Sequence, residues 1–246
     1  MRLIGIKSSL HPEQLRNKLT VNPPLLELHL WQHDLDELEK TKLAIQELAR
    51  EHPSMKLMLH TPLGEDDEEL CIDGDYEMLS RFAELTLCDK QVIGAVMHPE
   101  QSIFNADRAK ENITRLRSEH TSAEQMFYYE NLSGDRTRKL EDFKSFIIEF
   151  GIKKVTVDLA HAAAFHSQEQ IEALYSWLKA HNIEIYTHIS DNVQHSGDTR
   201  PKHLGEGDLD FSSLVKLIDF GVIETYSSDE LKGTEIKQDY GRYLKI

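Results

Sequence analysis

Short apolar runs recur along this chain, and most of them end on a side chain able to bind a metal. The runs LLELHL, KLMLH, VIGAVMH, MFYYE, KKVTVD and IEIYTH end at or beside a histidine, glutamate or aspartate, and FGVIET carries a glutamate next to its end. Runs of this kind are typical of buried strands, and segments with apolar spacing of three and four separate them. The chain is therefore expected to alternate strands with helices.

Eight strands are predicted, near residues 3–7, 25–30, 56–60, 92–98, 126–130, 153–158, 183–188 and 221–225. Eight strand–helix repeats in 246 residues favour the α/β class and a single closed (β/α)8 TIM barrel, with one domain over residues 1–246. An open doubly wound sheet is the alternative, but the turn after the first strand lacks phosphate-binding glycines. Gly151, Gly221 and Asn182 are expected where helices end.

Composition limits the compartment and the partners. The formal net charge is −15, which argues against nucleic acid as a partner because phosphate-binding surfaces are normally basic. No apolar run approaches the ~18 residues of a membrane span, and the N-terminus does not resemble a signal peptide. Cys71 and Cys88 are expected to be free thiols, so a cytoplasmic location is predicted. The oligomeric state stays open.

In a parallel barrel, the carboxyl ends of the strands meet at one opening. We expect six side chains there: His60, His98, Glu130, Asp158, His188 and Glu224. Converging carboxylates repel one another unless they share a cation, so a divalent metal is predicted. Oxygen and nitrogen ligands without thiolate suit zinc or manganese, with cobalt and magnesium as further candidates. His161 follows Asp158 by one helical turn and adds a donor.

Seven segments carry a resemblance to a known group of enzymes: LHTPLG, VMHPE, YYENLSG, VDLAHA, THISDN, HLGEGDLDF and IETYSS. In this order the chain resembles the xylose-isomerase-like TIM barrel superfamily, which holds sugar phosphate isomerases and epimerases together with endonuclease IV (AP endonuclease family 2). The resemblance implies one metal held by Glu130, Asp158, His188 and Glu224. The endonuclease branch implies further metals at His60, His98 and His161.

The same branch uses an Asp-x-His pair in the loop after strand seven, and this chain departs from that pattern. Four residues separate Asp198 from His203, and Pro201 stands between them. Whether a trinuclear site is complete is therefore left open. Asp198, Arg200 and His203 are candidate metal or substrate contacts, with ordinary solvated loop residues as the alternative.

Other polar and aromatic positions allow two interpretations each. The segment 205–207 either offers backbone N–H groups to a phosphate or forms a plain turn before a helix capped by Asp208. Glu27 is expected to point into the barrel. Trp31 and Tyr129 are assigned to the core, and the acidic run 65–69 to a solvated loop.

Two catalytic hypotheses follow from these residues and the resemblance. The first is a metal-dependent isomerase or epimerase of a sugar or sugar phosphate in carbohydrate metabolism, with Glu130 and Glu224 transferring a proton at carbon. The alternative is an endonuclease IV-like phosphodiesterase with several zinc ions. A metal-binding barrel without catalysis is a third hypothesis. The sequence leaves the substrate undetermined.

Overall fold

Eight parallel strands close into one barrel with helices on its outside. A computed structural model describes residues 2–64, 69–100, 104–131, 134, 137–225, 228–229 and 231–246. The strands are β1 Leu3–Ser9, β2 Leu25–Trp31, β3 Lys56–Leu63, β4 Val92–Met97, β5 Phe127–Glu130, β6 Lys154–Asp158, β7 Glu184–Ile189 and β8 Phe220–Ile223. Each strand pairs with the next, and β8 pairs back to β1. The predicted (β/α)8 barrel is confirmed.

The helices lie between the strands along the chain and cover the outside of the barrel. They are α1 Pro12–Leu19, α2 Gln32–Asp36, α3 Leu38–Glu51, α4 Tyr76–Thr86, α5 Ala106–Glu119, α6 Thr121–Glu124, α7 Leu140–Phe150, α8 Leu159–Phe165, α9 Gln168–Ala180, α10 Phe211–Leu214 and α11 Thr234–Tyr243. No helix in these described ranges is long and apolar enough to cross a membrane.

Alternation along the strands builds two apolar layers. Side chains pointing inward fill the barrel, among them Met58, Tyr128 and Tyr186. Their neighbours along the strands point outward and pack against the helices, as Leu57, Phe127 and Tyr129 do. The inward positions nearest the carboxyl ends are polar instead of apolar, and this change creates the site described below.

Two of the three predicted helix ends are confirmed. Gly151 follows α7 with a φ of 65°, and Asn182 follows α9 with a φ of 54°. The prediction for Gly221 is wrong, because this glycine lies inside β8. Its backbone runs so close to β7 that a Cβ atom there would overlap the Thr187 carbonyl oxygen.

The expected helix cap at Asp208 is also wrong. The Asp208 carboxylate accepts a hydrogen bond from the Gln194 N–H instead. The next helix, α10, begins three residues later, and Asp210 caps it by accepting from the Ser212 N–H. Asp208 and Asp210 are both suitable N-cap residues by sequence. Asp208 bonds to Gln194 instead, so Asp210 caps the helix.

Candidate metal centre

Six of the predicted side chains come from the carboxyl ends of neighbouring strands. His60, Glu130, Asp158 and His188 lie within the last residues of β3, β5, β6 and β7, and His98 and Glu224 directly follow β4 and β8. His188 is fully buried, and Glu130 is 2% exposed. Closure of the barrel thus brings together groups that are far apart in the chain.

Glu130, Asp158 and His188 form the first group of donor atoms that could hold one ion. The Nδ1 atom of His188 lies 3.4 Å from Glu130 Oε1 and 3.6 Å from Asp158 Oδ2. Glu224 Oε2 approaches the same nitrogen at 2.6 Å from β8. Three carboxylates on different strands therefore face a single imidazole nitrogen.

A second group shares Glu130 with the first. The other carboxylate oxygen, Glu130 Oε2, lies 3.3 Å from His98 Nε2 and 3.7 Å from His60 Nε2. His60, His98 and Glu130 together form a donor group within reach of one ion. Glu130 thus belongs to two neighbouring groups of donor atoms, each of which could hold an ion.

The orientation of Asp158 follows from its double role at the end of β6. As the N-cap of α8, its Oδ1 accepts a hydrogen bond of 2.7 Å from the His161 N–H. Its own N–H donates to Asn131 Oδ1 at 2.8 Å. With one carboxylate oxygen used for the cap, the other is left to face His188.

His188 is held in place from the inside of the barrel by Glu27 on β2. The ring Nε2–H donates to Glu27 Oε2 at 2.9 Å, and the Tyr186 hydroxyl donates to the same oxygen at 2.8 Å. A carboxylate behind a histidine fixes its ring and leaves the other nitrogen, here Nδ1, free to bind a metal. Glu27 is fully buried, as its expected inward position requires.

Lys7 is a functional candidate that the sequence reasoning missed. Its ammonium on β1 lies 2.6 Å from Glu224 Oε1 and 3.3 Å from Glu27 Oε1. Strand pairing sets Lys7 directly opposite Glu27. The available signal was a lysine within an apolar strand, two positions before the strand ends.

Neighbouring positive groups lower the pKa values of Glu130 and Glu224. Burial would raise the pKa of Glu130, but His188, His60 and His98 outweigh it and hold that pKa well below its usual range. Burial would also raise the pKa of Glu224, but the nearby His188 and Lys7 outweigh burial and hold that pKa well below its usual range. Conversely, burial would lower the pKa of His188, but Glu224, Glu27 and Glu130 raise it well above normal.

The donor set fits a divalent cation on two observations. In a tetrahedral site with bonds of ~2.0–2.1 Å, neighbouring donor atoms lie about 3.3–3.4 Å apart, close to the spacings around Glu130. In addition, Glu130 Oε2, His188 Nδ1 and Glu224 Oε2 are buried and lack a partner with hydrogen-bond geometry among the described residues. Buried polar atoms without such partners are rare unless an ion or water completes them.

Glu69 is a second functional candidate, placed in a solvated loop by the sequence reasoning. Its Oε2 lies 2.5 Å from His98 Nδ1 while its side chain stays 34% exposed, so Glu69 is a partly solvated loop residue that also contacts the site. The remainder of the acidic run, residues 65–68, lies outside the described residues. Burial would lower the pKa of His98, but Glu69 and Glu130 outweigh it and raise that pKa to about 10.

His161 joins the site, whereas the loop after β7 does not. His161 Nδ1 lies 3.7 Å from Glu130 Oε1. Asp198 pairs on the surface with Arg200, whose Nε and Nη2 donate at 2.9 Å. His203 Nδ1 lies 2.7 Å from Asp239 on α11. The structure therefore brings Asp198, Arg200 and His203 to other partners, and a third metal group including them is absent from the described part of the chain.

The glycine segment of that loop forms a turn bound to Asp191. Gly205 N–H donates to Asp191 Oδ2 at 2.9 Å, and Leu209 N–H donates to Oδ1 at 3.2 Å. Glu206 N–H donates to the His203 carbonyl oxygen. Because these donors are committed, this turn does not offer the phosphate cradle that was one interpretation of residues 205–207.

A cleft of about 460 Å³ opens beside the centre, on the side of β1, β2 and β8. Lys7, Glu224, His29 and Trp31 line it together with residues of α1. The assignment of Trp31 to the core is wrong, since the residue is 40% exposed. Tyr129 is buried and packs against Phe146, as expected. The size is within the usual range for small-molecule sites.

Sequence comparisons do not assign the chain. No family model matches it, and no curated protein matches it significantly. Solved structures match it over nearly its whole length at low identity. Endonuclease IV from Thermus thermophilus superposes with a TM-score of 0.66 at 15% identity, covering 100% of this chain and 99% of that chain.

Two epimerases superpose in a similar way. The 3-keto-D-glucoside 4-epimerase YcjR from E. coli gives a TM-score of 0.66 at 14% identity, with 100% of both chains covered. D-psicose 3-epimerase gives 0.59 at 11% identity, covering 96% of this chain and 89% of that chain. The fold is therefore the (β/α)8 barrel that these proteins share. At these identities the likeness concerns the fold alone.

Proposed function

We propose that this protein is a divalent-metal-dependent isomerase or epimerase of a small sugar or sugar phosphate. The observation that carries the proposal is the pair Glu130 and Glu224, which approach His188 Nδ1 from β5 and β8 at 3.4 and 2.6 Å. Neighbouring histidines, together with Lys7 at Glu224, lower the pKa of both carboxylates, and Glu224 lines the cleft. Such a pair suits removal and return of a proton on carbon.

In this proposal Glu130, Asp158, His188 and Glu224 hold zinc or manganese. The ion supplies Lewis acidity toward a carbonyl oxygen and the neighbouring hydroxyl. Glu224 takes the proton from the hydroxyl-bearing carbon next to the carbonyl, and the electron pair of that C–H bond moves toward the carbonyl oxygen to give the enediolate. In an isomerase the protonated Glu224 returns that proton to the adjacent carbon. In an epimerase Glu130 delivers a proton taken from solvent to the opposite face of the same carbon, and Glu224 releases its own proton to solvent. His161 holds a substrate oxygen, and Trp31 covers the sugar from the rim of the cleft.

Two features support a small molecule as the substrate. The cleft is of small-ligand size, and the epimerases that share the fold are named for sugar substrates. The same proposal takes residues 1–246 as one barrel domain working in the cytoplasm.

The test is uptake of solvent deuterium into a panel of keto-sugars and their phosphates, read by mass spectrometry. The wild-type protein loaded with manganese or zinc should exchange the proton next to the carbonyl. Glu130→Gln and Asp158→Asn should lower metal occupancy, and Glu224→Gln should lower exchange by about 100-fold or more. Glu47→Gln, on the exposed face of α3, is the matched control. No exchange across the panel would contradict the proposal.

A second candidate, a phosphoester hydrolase with two metals, is favoured by one observation. Glu130 belongs to two of the three donor groups that could hold an ion, and a shared carboxylate suits a pair of adjacent ions. Endonuclease IV shares the fold. Two ions per chain by elemental analysis, with cleavage of a small phosphodiester or an abasic-site duplex, would support this candidate. One ion per chain with deuterium exchange would support the isomerase.

A further inference from the structure

Lys7 occupies a distinct position in the site. Its ammonium bridges Glu224 on β8 and Glu27 on β2, at 2.6 and 3.3 Å. The Glu27 carboxylate already accepts hydrogen bonds from His188 and Tyr186. Glu27 therefore holds the His188 ring through a hydrogen bond that does not involve Lys7. The Lys7 ammonium can thus have a second role in the site.

The second observation is where the cleft meets the centre. Of the four carboxylate and imidazole groups proposed to hold the metal, Glu224 is the one that lines the cleft within the described residues, and Lys7 lines it beside Glu224. The side chain of Lys7 is 13% exposed. A molecule entering from the cleft meets the ammonium and the Glu224 carboxylate together.

We infer that Lys7 is a catalytic residue that binds the substrate oxygen on which negative charge develops. The inference rests on the proposed function. When Glu224 takes the proton from carbon, the electron pair of the C–H bond moves toward the carbonyl oxygen. An ammonium beside Glu224 donates a charge-assisted hydrogen bond to that oxygen, and this bond strengthens as the charge grows.

Three variants at one position separate this role from a structural one. Lys7→Met keeps the length of the side chain and removes the charge, and Lys7→Arg keeps the charge. Lys7→Ala leaves space that added propylamine can fill. Lys42→Met is the matched control, because Lys42 also bridges two glutamates, Glu39 and Glu84, but on the outer surface. Metal content is measured in every variant before any assay.

For Lys7→Met we expect full metal content, a kcat for deuterium exchange lowered by about 100-fold, and a KM changed far less. Propylamine should restore the activity of Lys7→Ala at least about tenfold, and Lys7→Arg should retain more activity than Lys7→Met. Lys42→Met should behave as wild type. Loss of metal in Lys7→Met and Lys7→Ala alike, or a kcat within twofold of wild type in Lys7→Met, would overturn the inference.

Binding of glycolohydroxamate, a planar mimic of an enediolate, tests Lys7 without turnover. In calorimetry, metal-loaded Lys7→Met should bind glycolohydroxamate at least about tenfold more weakly than the wild type does. Equal affinities would overturn the role of Lys7 even if the wild type exchanges deuterium. If the wild type binds glycolohydroxamate more tightly than Lys7→Met does but exchanges no substrate proton, the contact between Lys7 and the oxyanion is supported. The same result counts against the proposed isomerase reaction.

Discussion

At the scale of single residues, Glu130 and His188 hold the site together, because each lies near several of the other donors. Glu130 and His188 were identifiable because apolar strands end on them, and a parallel barrel gathers strand ends at one opening. Lys7 and Glu69 were not, because their importance comes from pairing with Glu224 and His98 across the fold. Such pairings depend on barrel closure and loop path, which local patterns do not encode.

Replacing Glu27 with Gln should weaken metal binding although Glu27 is not itself one of the four proposed ligands. The change removes the charge behind His188 Nε2 and makes the ring a poorer ligand, so affinity for zinc should fall about 10- to 100-fold. Isothermal titration measures this directly. Tyr186→Phe, which removes a single hydrogen bond to Glu27, is the control and should cost less. Equal affinities for Glu27→Gln and wild type would contradict the positioning role.

The His98–Glu69 pair predicts a pH dependence of stability in the metal-free protein. The pKa of His98 rises from 6.5 to about 10, and the pKa of Glu69 falls from 4.5 to about 2. The His98–Glu69 ion pair therefore stabilises the fold fully between about pH 4.5 and 6.5, and this stabilisation is lost as the pH rises toward 10. In chelator, the Tm advantage of wild type over Glu69→Gln should shrink steadily between pH 6.5 and 10. A constant difference over that range would refute this.

At the scale of elements, strand positions were predictable because each strand carries its own apolar signal. Helix ends were predictable where a left-handed residue was required, as at Gly151. The expectation failed at Gly221, where the glycine serves contact between strands rather than a cap. The expected helix cap at Asp208 is absent because its carboxylate accepts a tertiary hydrogen bond from the Gln194 N–H. Both failures involve contacts with residues distant in the chain.

Gly221→Ala should push β8 away from β7. The added Cβ meets the Thr187 carbonyl oxygen, which belongs to the backbone and cannot turn aside, so we expect a loss of about 1–3 kcal/mol in the free energy of unfolding. Gly241→Ala in α11 is the control, because open space surrounds that position and alanine favours the helix. Urea denaturation compares them. A Gly221→Ala protein as stable as wild type would show that the two strands can separate at no cost.

At the scale of the whole molecule, the excess of carboxylates over ammonium groups at the barrel mouth favours the binding of cations. Five carboxylates belong to this cluster, Glu27, Glu69, Glu130, Asp158 and Glu224, together with the single ammonium of Lys7. Four negative charges therefore remain when the histidines are neutral. In the metal-free protein, protons on His188 and His98 offset part of this charge, since both pKa values are raised. One divalent ion leaves two negative charges, and a second neutralises the cluster.

Metal binding at neutral pH should therefore release protons from the site. Calorimetric titration in buffers of different ionisation enthalpy measures the number released. A protein that binds one ion at His188 should release about one proton, and filling the position at His98 should release about one more. His98→Gln should abolish only the second release. Binding without any proton release would contradict the protonation states described above.

The most direct measurement is the anomalous scattering of crystals soaked in zinc or manganese, recorded at the absorption edge of the metal. We expect a peak at the barrel mouth within bonding distance of Glu130, Asp158 and His188, with a second peak near His60 and His98 if two ions bind. Glu130→Gln should weaken both peaks. A fully loaded crystal whose metal lies elsewhere on the molecule would contradict the proposed metal centre.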